Sequence, residues 1–103
     1  MKYPPTMDRE CIRICDAMNA LPGIRTCESC CGHGEEPHRI FFYAQTVENL
    51  KPILESSHSS AWRVEVKWVN GSDTICFMLE GPVGPSDMPG GADDFASWIE
   101  SNA

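Results

Sequence analysis

No stretch of this chain approaches the roughly 20 consecutive apolar residues that a membrane-spanning helix needs. The opening Met1-Lys2-Tyr3-Pro4-Pro5 has no apolar h-region, so no secretory signal is expected. Cations are scarce: 8 Lys and Arg stand against 15 Asp and Glu, a formal net charge of -7. That balance disfavours nucleic-acid polymers and anionic membranes as partners. The acidic residues are spread along the chain with no long run, which argues against a DNA-mimicking face. An internal repeat is also lacking. Asn70-Gly71-Ser72 fits a glycosylation acceptor, but without a secretion signal it reads better as a turn.

What is present fits one cytoplasmic domain over residues 1–103. A chain of this length can bury roughly two-thirds of the surface its unfolded form exposes. With no export signal, its 6 cysteines are expected to be reduced thiols rather than a disulfide framework.

The first element is a helix capped by Thr6 or Asp8, with Met7, Cys11, Ile14, Cys15, Met18 and Leu21 on one face. Pro22-Gly23 ends it. Cys11 and Cys15, at i and i+4, could share a metal, but read better as small buried apolar residues. Ile24 to Glu28 is a short strand. Glu35 to His38 reads as a polar turn, and Arg39 to Ala44 as a strong strand. Its near-continuous apolarity predicts a central strand covered on both faces, or one with a face at a homo-oligomer contact.

Thr46 can cap a second helix carrying Val47, Leu50 and Leu54 on one side. Pro52 requires this helix to kink or to begin later, near Leu50. The serine run 56–60 reads as a loop with a solvated His58. Trp62, Val64, Val66 and Trp68 alternate with charged residues, which marks a half-buried strand. Asn70-Gly71 then predicts a hairpin turn, and Thr74 to Glu80 the return strand, with Cys76 a packing residue. The stretch 81–91 holds three prolines and four glycines and reads as a long loop, either a lid or a plain connector. Asp93 to Ser101 forms the last helix, with Phe95, Trp98 and Ile99 inward. The order α-β-β-α-β-β-α predicts an α+β fold. Three helices would pack on a mixed or antiparallel four-stranded sheet in two layers.

Candidate chemistry concentrates in Thr26-Cys27-Glu28-Ser29-Cys30-Cys31-Gly32-His33-Gly34. Gly32 and Gly34 let a backbone approach a ligand, and successive amides in such a loop can cradle an anion. Arg25, Ser29, Cys30, Cys31, Gly32, His33, Gly34, His38 and Arg39 would line a site for a small anionic, nucleotide-like ligand. The 81–91 loop could close over it. A second reading is zinc, held by Cys27, Cys30, Cys31 and His33 or His38. A third is a thiol-dependent enzyme with Cys30 or Cys31 as nucleophile and His33 beside it. The ligand-binding reading leans away from catalysis.

The segment from Leu21 to Phe42, with its Glu-Ser-Cys-Cys-Gly-His-Gly core leading into an aromatic strand, resembles a motif in short uncharacterised bacterial and phage proteins. More distantly, the loop is similar to the Ser-Ser-Cys-Ser-Gly-Arg loop of the tRNA wybutosine-synthesis methyltransferase family. Ser29, Cys30 and Gly32 match that family's Ser, Cys and Gly, and His33 stands where the family has Arg. The likeness covers about a fifth of the chain. It implies a loop that binds a nucleotide-like group; a phage origin would also allow a sponge for a host signalling nucleotide.

Overall fold

The computed structural model describes residues 3, 6–58, 60–68 and 75–103, with the side chain of Trp68 set aside. The amphipathic pattern of the first helix is realised in α1, Arg9–Asn19, which buries Cys11, Ile14, Cys15, Ala17 and Met18. Cys11 and Cys15 are almost wholly enclosed, as expected of small apolar side chains. After the Pro22-Gly23 turn comes β1, Ile24–Cys30, followed by a single 3-10 turn, Gly32–Gly34, and β2, Pro37–Ala44.

Two sequence expectations change here. β1 continues past Glu28 because Ser29 pairs with Ile40 and Cys30 with Arg39. β2 starts at Pro37, so His38 lies in the sheet and not in a polar turn. Proline is tolerated there because the first residue of a strand need not donate to the ladder. Pairing between strands outweighs the weak local preference of these polar residues.

A short 3-10 segment, Val47–Leu50, leads into α2, Lys51–Ser57. Pro52 thus lies in the first turn of the α-helix, where its missing N–H costs nothing. Leu50, Ile53 and Ser56 are buried, whereas Val47 and Leu54 face solvent. The expected Val47-Leu50-Leu54 stripe fails because the 3-10 segment turns faster than an α-helix, which shifts the inward face to Leu50 and Ile53.

β3, Arg63–Trp68, runs antiparallel to β4, Ile75–Val83. The expected Asn70-Gly71 turn lies outside the described residues. β4 extends three residues beyond Glu80, into the stretch expected to be loop, because Val83 pairs with Pro37 of β2. Gly81 permits this extension. A Cβ there would run into the Trp62 ring, so the indole packs directly on bare backbone. Trp62 is buried and its Nε1–H donates to the Gly90 carbonyl at 2.8 Å. The chain closes with α3, Ala92–Asn102, which buries Ala92, Phe95, Ala96 and Ile99.

The sheet order is β1-β2-β4-β3, antiparallel throughout. The two-layer α+β arrangement read from the sequence is therefore the fold. His38, Ile40 and Phe42 of β2 are buried, and Ile40, Phe42 and Leu79 of β4 join the helices in one core. Cys76 and Met78 are also buried but do not belong to that core. They alternate with Phe77 and Leu79 and so occupy the opposite face of the sheet. β2 is central, as expected, but among the described residues helices cover one of its faces and not both; Phe41 and Tyr43 on the other face stay half-buried. No helix among the described residues is long and apolar enough to cross a membrane.

Candidate metal centre

The Cys-Gly-His stretch divides into a strand and a turn. Cys27 is the extra residue of a β-bulge, since Thr26 pairs with Phe42 and Glu28 with Phe41. Its thiol is exposed and lies 3.3 Å from the Phe41 carbonyl. Cys30 ends β1, and its sulfur accepts the Gly32 N–H at 3.4 Å. Cys31 is buried at the start of the turn.

The turn itself is tightly constrained. Gly32, His33 and Gly34 all have positive φ, at 79°, 52° and 80°. Glycine is required at Gly32: a Cβ there would sit 3.0 Å from the Pro37 carbonyl oxygen. Among the described residues His33 is the single non-glycine with positive φ. Histidine tolerates this region better than most residues, yet the conformation still carries strain of roughly 1–2 kcal/mol. The amides of Glu35 and Glu36 both donate to the Gly32 carbonyl at 3.0 Å, so they are spent inside the turn and do not face a ligand.

The residue that completes the cluster is Asp8. It sits at the start of α1 with extended backbone, but its carboxylate does not cap the helix. It reaches across to accept the Cys31 N–H at 3.0 Å. Cys31 Sγ lies 3.8 Å from His33 Nδ1. One ligand atom each from Asp8, Cys31 and His33 falls within 4.8 Å of the others. They border a cleft of about 480 Å³, also lined by Arg9, Glu10, Gly34 and Pro85. Pro85 brings the start of the proline-glycine loop to the rim.

The Cys31 amide is the main cause that holds the Asp8 carboxyl below its usual range, with smaller help from the Cys31 and Cys30 thiols and from His33. Burial, followed by the Asp8 carboxylate, pushes the Cys31 thiol up. At neutral pH the cluster therefore pairs a carboxylate with a protonated thiol. A cation can convert that thiol to thiolate by displacing its proton.

The remaining expected site residues do not gather here. Arg25 lies over the Tyr43 ring at 5.6 Å. Ser29 lies near the Cys11 and Cys15 thiols of α1. Arg39 is engaged by Glu80 at 3.0 Å and Glu36 at 3.7 Å. His38 is enclosed in the core, its ring 5.9 Å from that of Trp62. One ring nitrogen bonds the Glu10 backbone, while Nε2 has no partner among the described residues. Burial lowers its pKa. His58 is exposed at the end of α2, as expected. Of the expected metal ligands, then, Cys31 and His33 meet, Cys27 and His38 lie elsewhere, and Cys30 adjoins.

Sequence reasoning missed Asp8, which looked like an ordinary helix cap. Nothing in its local context distinguishes it from one, because its partner lies 23 residues away. No protein-family model, curated protein or solved structure matches this chain.

Proposed function

We propose that this is a metal-binding protein that holds a divalent cation of the zinc class through Asp8, Cys31 and His33. The observation that carries this reading is the approach of the three donor atoms to within 4.8 Å. Oxygen, sulfur and nitrogen donors of these types are ordinary zinc ligands. Three protein ligands would leave a coordination position directed at the cleft, open to water or to a small ligand. The thiol-nucleophile reading has less support. The Cys31 thiol is pushed toward its neutral form, and the nearest imidazole is 3.8 Å away.

The test is zinc stoichiometry, measured by competition with a chromophoric chelator. The intact protein should bind one zinc per chain. Asp8→Asn and His33→Ala should each lose that zinc while Cys27→Ser keeps it. A protein that stays folded in chelator and then takes up no added zinc sinks the proposal.

A second reading, a small anionic ligand, is favoured by one feature. Arg25, Thr26 and Ser29 line a larger cleft of about 810 Å³ between α1 and β1, with Asn19 on the facing helix. It needs a single cation, Arg25, to do what the sequence assigned to several.

A further inference from the structure

The cleft beside Asp8, Cys31 and His33 also holds a cation that the fold leaves unused. Arg13, Arg39, Lys51, Arg63 and Lys67 each pair with a carboxylate, and Arg25 lies over the Tyr43 ring. Among the described lysines and arginines, Arg9 alone has neither kind of partner. Arg9 is the first residue of α1, directly after Asp8, and it lines the same cleft of about 480 Å³. That volume falls within the roughly 300–1,000 Å³ of small-molecule sites. An arginine offers a planar fork of N–H donors that matches a carboxylate.

Charge decides which ligand suits the cleft. A divalent cation held by the Asp8 carboxylate, the Cys31 thiolate and a neutral His33 imidazole forms a centre with no net charge. A monoanion bound at that centre is offset by the Arg9 guanidinium. A dianion leaves one negative charge uncompensated, and Glu10, which also lines the cleft, repels it further. Pro85 adds an apolar surface at the rim for a short carbon chain.

We propose that the cleft takes a small organic monocarboxylate, held between the metal and the Arg9 guanidinium. This rests on the metal-binding reading above and names what fills the open coordination position. One carboxylate oxygen replaces a metal-bound water, and the Arg9 N–H groups donate to the carboxylate. No proton or electron is transferred.

The test uses cobalt(II), a coloured stand-in for zinc, on the whole protein at mildly alkaline pH. Cobalt alone should give a thiolate-to-cobalt absorption band, and acetate should then shift the cobalt spectrum saturably. Arg9→Gln, a change at an exposed residue, should keep the band but weaken acetate binding by about 10-fold or more, the worth of a hydrogen bond to a charged group. Arg9→Lys should recover part of that loss, because it restores the charge without the fork. Arg25→Gln, in the larger cleft, should bind acetate as the wild type does. Inorganic phosphate, largely dianionic at this pH, should bind more weakly than acetate. If no cobalt band forms, the metal-binding reading falls and this inference with it. A normal band that acetate does not shift, unchanged acetate affinity in Arg9→Gln, equal loss in Arg25→Gln, or phosphate binding tighter than acetate overturns this inference alone.

Discussion

His38 shows at the scale of one residue how placement changes chemistry. In a polar turn it would be a solvated base; in β2 it is enclosed between α1 and the Trp62 ring. Burial, the dominant cause, lowers its pKa below 6.5, against weaker opposing effects from Glu10, Asp8 and Asp93. The unfolded chain therefore takes up a proton at a higher pH than the folded one. Stability is fully present above about 6.5 and is lost as pH falls from there toward the folded-state value. Denaturant melts between pH 7.5 and 5.5 should show this decline, and His38→Gln should flatten it. Equal slopes in both proteins would remove His38 as the cause. His33 illustrates the converse, an exposed residue whose left-handed backbone aims its ring at Cys31.

At the scale of elements, β4 carries the arrangement. It pairs with both β2 and β3. Its Glu80 accepts from Arg39 at 3.0 Å and from Arg63 at 2.8 Å, and these guanidiniums hold its carboxyl below the usual range, Arg63 most of all. Such a network near the surface contributes modestly and weakens with salt. The more sensitive point is Gly81, where Trp62 meets bare backbone. Gly81→Ala should displace the indole, weaken the Nε1–H bond to Gly90, and lower stability by about 1–3 kcal/mol in thermal or denaturant melts. The 84–91 loop hangs from this contact, so the same variant should loosen the cleft edge that Pro85 supplies. A stability within 0.5 kcal/mol of wild type, by the usual range of neutral surface changes, would show that the contact is readily adjusted.

At the scale of the molecule, the proposed zinc couples the start of α1 to the β1–β2 turn, two segments that the Asp8 hydrogen bond to the Cys31 amide already joins. Metal that binds the native state alone raises stability by roughly 2.7 kcal/mol at a hundredfold excess over Kd. For a domain near 100 residues that is a rise in Tm on the order of 10–20 °C. Zinc should produce it in the wild-type protein, chelator should reverse it, and Asp8→Asn should abolish it. A Tm indifferent to zinc in the wild type would count against the centre.

The helix-strand order and the two-layer α+β fold were legible in the sequence, because periodicity along one segment reports which face it buries. The 3.6-residue stripe of α1, the late start of α2 that Pro52 imposes and the alternation around Val64 are local patterns. Strand limits were less legible: Ser29, Cys30, Pro37, His38 and Val83 become strand through partners distant in the chain. The turn at Gly32–Gly34 was visible from its composition, but its use was not. Sequence proximity grouped Cys27, Cys30, Cys31, His33 and His38 as candidate ligands. The bulge set the exposed Cys27 thiol on the Phe41 carbonyl, strand pairing sent His38 into the core, and the start of α1 brought Asp8 to Cys31. Coordination depends on distances of a few ångströms between side chains, and only the packing of helix on sheet decided those.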